Sequence, residues 1–293
     1  MSCQLDWIVS LRTSAAYAAA TLLAGGQPAD SSRTAVMHEL VNDLCRRAGC
    51  YPQQMLGLLS HITPLSADAG EVRLLVRTGL GKLGSWDAGA TGGERLSEAL
   101  QDFFENWALH FPAAEHELNL RRKVFEENWS ARGPGLMAAI GRFTDESLIA
   151  PRASVLVVEP LLGGGGTAYL AYNAVAIEGV LANPCGDLPE IVRLAWLLAE
   201  LQLEAPIHSE TVHGSRLPLI AALAMVPPTL QAASVVELAD FSPVTVQRAI
   251  EVWQIPVEDR AATAEGLLRW WDSYSRERPR WPVALAALER LLA

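Results

Sequence analysis

The segment from Arg152 to Glu204 constrains the fold most. It reads RASVLVVEP, LLGGGG, TAYLAYNAVAIEGVL, ANPCGD and LPEIVRLAWLLAELQLE. From Arg152 to Leu181 charge nearly vanishes, β-branched residues and alanine dominate, and glycines separate two extended runs. Alternation in TAYLAYNAVAIEGV places Tyr169, Ala171, Asn173, Val175 and Ile177 on one face. A long apolar helix follows at about 188–204, with Ile191, Leu194, Ala195, Leu198 and Leu201 spaced to cover a sheet. Each large side chain so buried stabilises the fold by about 1.5–3 kcal/mol. The expectation is an α+β fold, mainly helical, with a small antiparallel sheet at about 153–181 packed on the helix at about 188–204.

The flanks read as helices. In the N-terminal region, 1–150, one helix is expected from Gln4 to Leu23, ended by Gly25 and Gly26. Asp30, Ser31 or Ser32 can cap a second, TAVMHELVNDLCRRA, which stops before Gly49. Pro52 to His61 reads as a third, and Glu71 to Arg77 as a strand or a helical turn. Gly79 to Gly93 holds six glycines and reads as a loop. Glu94–Leu109, Ala113–Ser130 and Pro134–Phe143 complete this half. In the second region, 151–293, Leu217–Met225 and Thr229–Leu238 are separated by Pro227 and Pro228. Pro243–Trp253, Glu258–Ser275 and Val283–Leu292 follow. The 293 residues suit two ordinary domains or one continuous one.

Charge and cysteine usage narrow the function classes. A net charge of −10 opposes a phosphate-neutralising surface, so no nucleic acid partner is expected. The four cysteines, Cys3, Cys45, Cys50 and Cys185, form no CxxC pair and read as reduced thiols of a cytoplasmic protein. The apolar N-terminus does not read as a secretory signal: no basic residue precedes it, and Asp6 and Arg12 interrupt it. No run is read as reaching the roughly 18 uncharged apolar residues of a membrane span. The apolar content allows a homo-oligomer but locates no interface.

Each chemical motif is incomplete. Gly79 to Gly84 matches GxGxxG, but glycine-rich loop rather than a new helix is expected to follow. Gly163 to Gly166 lacks the lysine of a phosphate cradle and reads as a wide hairpin turn. His38-Glu39 and His116-Glu117 are halves of HExxH, with Asn42 and Leu120 where the second histidine belongs. Val244 to Ile250 has the outline of a recognition helix, yet offers only Gln247 and Arg248 to a groove. No GxSxG elbow occurs. Cys185 precedes the long helix, where a thiol pKa can fall. Glu159 and Glu178 are lone acids in apolar strands, which need partners if buried and could act as an acid–base pair. Arg193 and Glu200 share a face of the long helix. His208 and His213, with Glu204, have spacing that suits a metal chelate, zinc being the natural choice.

The order of elements from Arg152 to Glu204 resembles the core of zincin metallopeptidases. Gly165-Gly-Thr-Ala-Tyr-Leu170, Ala176-Ile-Glu178 and Leu188 to Leu201 occupy the places of the edge strand, the neighbouring strand and the metal-binding helix. The resemblance covers about 50 residues and implies a zincin-type fold that has lost HExxH, since the helix has no histidine. It assigns no catalytic residue.

The resulting expectation is a non-catalytic binding or interaction protein, a degenerate metallopeptidase-like chain without a cofactor, whose partner is a protein or small molecule. The alternative is a metal-dependent hydrolase with dispersed ligands at Glu204, His208 and His213.

Overall fold

The computed structural model describes residues 3–68, 70–84, 89–180, 186–203, 212–214 and 216–292. The chain is mainly helical and carries one four-stranded sheet among these residues. Strand β1 (Gln4–Val9) is followed by α1 (Leu11–Leu23), α2 (Ser31–Ala48), α3 (Pro52–Leu65), α4 (Val72–Leu83), α5 (Gly89–His110) and α6 (Ala114–Phe143). Strands β2 (Arg152–Val158), β3 (Gly166–Tyr169) and β4 (Ala174–Glu178) come next. Helices α7 (Glu190–Glu200), α8 (Leu217–Val235), α9 (Pro243–Val252), α10 (Arg260–Glu277) and α11 (Trp281–Leu291) end it.

The strand order is β1-β2-β4-β3. β1 and β4 both run parallel to β2, and only β3 is antiparallel, on β4. The antiparallel expectation therefore holds for one of three pairings. Both faces of the sheet are covered, which is why its strands read as continuous apolar runs. Val155, Val157, Val175 and Ile177 face the core shared with α6, α7 and α8. Leu156, Val158, Ala174 and Ala176 face Tyr17 of α1. Helices α1 to α5 hold a further core around Leu58, Leu59, Leu100 and Trp107.

Several boundaries depart from expectation. Gln4–Val9 is a strand, not the start of a helix. Ser10 ends it and caps α1, its hydroxyl accepting from the Thr13 amide at 3.3 Å. The extended run at 167–180 is broken by a 3-10 turn at Leu170–Tyr172 and by Asn173, whose φ of 49° reverses the chain. Ala171 and Asn173 thus lie in the turn, off the expected strand face. Glu71–Arg77 resolves as the cap and first half of α4, whose helix continues over Gly79 and Gly81 to Leu83.

Prolines that should have divided helices do not. α6 runs unbroken through Pro134, and α8 through Pro227 and Pro228, because buried neighbours such as Leu136, Met137, Val226 and Leu230 outweigh the lost backbone bond. In α6 the Trp129 ring lies where a side chain at Gly133 would project. α8 also corrects the reading of apolar runs. It is long and apolar enough to cross a membrane by length and composition, and 67% of its most apolar window is buried within this fold.

Candidate functional site

The carboxyl ends of parallel strands are where open sheets place ligand crevices. Glu178 closes β4, and Glu159 follows β2. Both are buried, and both are fully engaged. Glu178 Oε1 accepts from the Leu162 amide at 2.8 Å and the Tyr17 hydroxyl at 3.3 Å, while Oε2 accepts from the Gly164 amide at 2.9 Å. Glu159 Oε1 meets Arg33 at 2.6 Å, and Oε2 accepts from Trp107 Nε1 at 3.1 Å. The Arg33 guanidinium lies 4.1 Å from the centre of the Phe111 ring. The Ser14 hydroxyl accepts from the Glu159 amide at 2.8 Å.

The tetraglycine is thus not a hairpin turn. β2 and β3 are not neighbours, and the segment carries the chain over the end of β4 while its amides hold Glu178. Glycine is required here. Gly163 and Gly164 have φ of 76° and 147°, and a Cβ at Gly165 would stand 2.9 Å from both Glu178 Oε1 and the Tyr17 hydroxyl.

Arg193, 1% exposed on α7, donates Nη2 to the Glu178 carbonyl at 3.0 Å and pairs with Glu190. Burial, reinforced by Glu178, raises the Glu190 pKa against the opposing pull of Arg193. Burial and then the charge of Glu178 hold the Tyr17 hydroxyl protonated well beyond the usual phenol range. The strand ends form a polar knot that ties α1, α2, α5 and α7 to the sheet, in which Arg193 Nε and Nη1 have no hydrogen-bond partner among the described residues.

The open chemistry lies at the other side of β3. A cleft of about 320 Å³ is lined by Gly166, Thr167 and Ala168 of β3, Trp196, Leu197 and Glu200 of α7, the start of α8, and Trp253 to Pro256. The Trp196 and Trp253 rings stack with centroids 4.8 Å apart and planes at 20°. Trp196 Nε1 donates to the Ala222 carbonyl at 2.8 Å, which fixes its ring. β3 is the sheet edge. Glu178 donates its amide to the Gly165 carbonyl, and Thr167 sits opposite Ala176. By the alternation of antiparallel pairs, the amides of Gly166 and Ala168 then point away from β4. Glu200 is 5% exposed, and its Oε1 has no hydrogen-bond partner among the described residues. Burial alone pushes its carboxyl well above the usual carboxylate range.

Of the expected metal ligands, Glu204 and His208 lie outside the described residues. His213 is exposed ahead of α8, its carbonyl accepting from the amides of Arg216 at 2.8 Å and Leu217 at 3.0 Å. Among the described residues no three histidine, cysteine or acidic side chains are grouped to hold a metal. Cys185 also lies outside them. The GxGxxG run ends α4, with Gly84 as its left-handed cap, instead of forming the expected loop. His38 and His116 sit on α2 and α6. Val244 to Ile250 lies in α9, capped by Ser242.

Sequence reasoning placed Glu200 only on a face shared with Arg193. Its signal was there, a single acid closing the apolar run Leu194 to Ala199. Tyr17, Arg33 and Trp107 carried no such signal. Comparison of the chain with protein-family models, curated proteins and solved structures gives no match.

Proposed function

We propose that this chain is a non-catalytic binding protein, built like a metallopeptidase that has lost its metal, with its ligand seated in the cleft beside β3. The carrying observation is Glu200: a buried carboxyl whose Oε1 has no partner among the described residues, on a side chain that lines a concave cleft with two tryptophans. A buried polar atom left unpaired costs about 1–3 kcal/mol, and a bound ligand can offset that cost. The lost-peptidase part of the reading is supported by the antiparallel edge strand β3, its neighbour β4 and the histidine-free α7 following in the order the resemblance requires. The saturation of Glu159 and Glu178 by internal partners also favours binding over acid–base chemistry.

The test is a fragment screen by 1H–15N correlation spectroscopy. The expected hits shift the amides of Gly166 and Ala168 and the indole N–H signals of Trp196 and Trp253. Hits confined to other surfaces would overturn the reading. Elemental analysis of protein purified without an affinity tag or chelators tests the alternative. Stoichiometric zinc would favour a hydrolase using Glu204, His208 and His213.

A further inference from the structure

We infer that the β3 cleft selects a small organic cation, an alkyl chain ending in a primary ammonium, with Glu200 as its counter-ion. The inference rests on the cleft being the ligand site and names what the ligand must be. Glu200 is the only charged side chain among the described residues that line the cleft. An anion would meet a buried acid with no compensating base. A neutral ligand supplies nothing that favours the ionised form of the buried carboxyl. An ammonium supplies donors for the carboxyl and a charge that offsets the desolvation of the ionised form.

The walls agree with this chemistry. The Trp196 and Trp253 indoles line the cleft as a stacked pair, which gives it a rigid apolar wall. The outward carbonyls of Gly166 and Ala168 can accept the remaining ammonium protons. Leu219, Ile255 and Pro256 offer apolar surface to the alkyl chain. The volume of about 320 Å³ falls at the low end for ligand sites, about 300–1,000 Å³, which favours a ligand of few atoms.

The test compares three four-carbon probes, n-butylammonium, n-butanol and n-butyrate, each titrated into the full chain and read at the Trp196 and Trp253 indole signals. Saturable shifts are expected with butylammonium, with affinity at least about tenfold above the other two, the scale of one charge-assisted hydrogen bond. Glu200→Gln should weaken butylammonium by about tenfold or more and leave butanol unchanged. The substitution removes no partnered group, and circular dichroism confirms that the variant is folded.

If butanol binds as well as butylammonium, or Glu200→Gln leaves butylammonium binding intact, the cation inference fails while the cleft remains a ligand site. If none of the three produces a saturable shift and the fragment screen also leaves the cleft silent, both fail. A second arm uses Nα-acetyl-lysine methylamide, which carries the same butylammonium on a peptide unit. Tighter binding of this probe assigns the cleft to a lysine side chain, and tighter binding of butylammonium assigns it to a free amine.

Discussion

The Tyr17 hydroxyl stands 3.3 Å from Glu178 Oε1, joining the first helix to the last strand across the sheet end. Two loop amides complete the shell of this carboxylate. Tyr17→Phe removes one donor and leaves the others, so a loss of about 0.5–1.5 kcal/mol is expected. Glu178→Ala orphans the buried Tyr17 and Gly164 donors, at about 1–3 kcal/mol each, as well as the half-buried Leu162 amide, and should cost about 3 kcal/mol or more. Urea unfolding midpoints measure both. Equal losses from the two variants would contradict the shell described.

Cys45 and Cys50 flank the left-handed cap at Gly49 and are free thiols. The Cys45 and Cys50 side chains act on each other, lowering the Cys45 pKa and raising that of Cys50. Burial pushes Cys3 up to about 11. Since the thiolate is the nucleophile, Cys45 should be alkylated before Cys50 and Cys3 as pH rises through the ordinary thiol range. Peptide mass spectrometry after timed iodoacetamide treatment reads the order. Cys45→Ala should speed labelling of Cys50, because the side chain that disfavours its thiolate is gone. Labelling of Cys50 at the rate of Cys45 would refute the pairing.

Glu200 gives stability a pH dependence of definite sign. Its pKa is raised in the folded chain, so the native state keeps a proton that the unfolded chain releases above about pH 4.3. Stability therefore falls as pH rises from that value toward the folded pKa, at up to about 1.4 kcal/mol per pH unit for one proton. No other titratable side chain lines the cleft among the described residues. Glu200→Gln removes this loss, so its Tm should gain on the native chain as pH increases. Parallel Tm curves for the two proteins would show that Glu200 titrates normally.

What the sequence revealed follows from where the information lay. The strands β2 and β4 and the helix α7 were legible because their burial is written as local apolar runs. β1 was not. Gln4–Val9 precedes an alanine-rich helix with no glycine or proline between, and only pairing with Arg152–Val157 makes it extended. Pro134, Pro227 and Pro228 misled for the same reason, since the packing that carries α6 and α8 across them comes from distant elements. Tyr17, Arg33 and Trp107 meet their carboxylates only through the sheet topology. Glu200 was legible only as sharing a helix face with Arg193, and its missing partner is a property of the folded cleft.

The most direct test of this account is the 13C carboxyl titration of Glu200, in protein labelled at glutamate and assigned through Glu200→Gln. The account predicts a protonated carboxyl that titrates well above the exposed glutamates and becomes ionised when n-butylammonium is added. A Glu200 signal that titrates together with the exposed glutamates, unchanged by the ammonium, would contradict it.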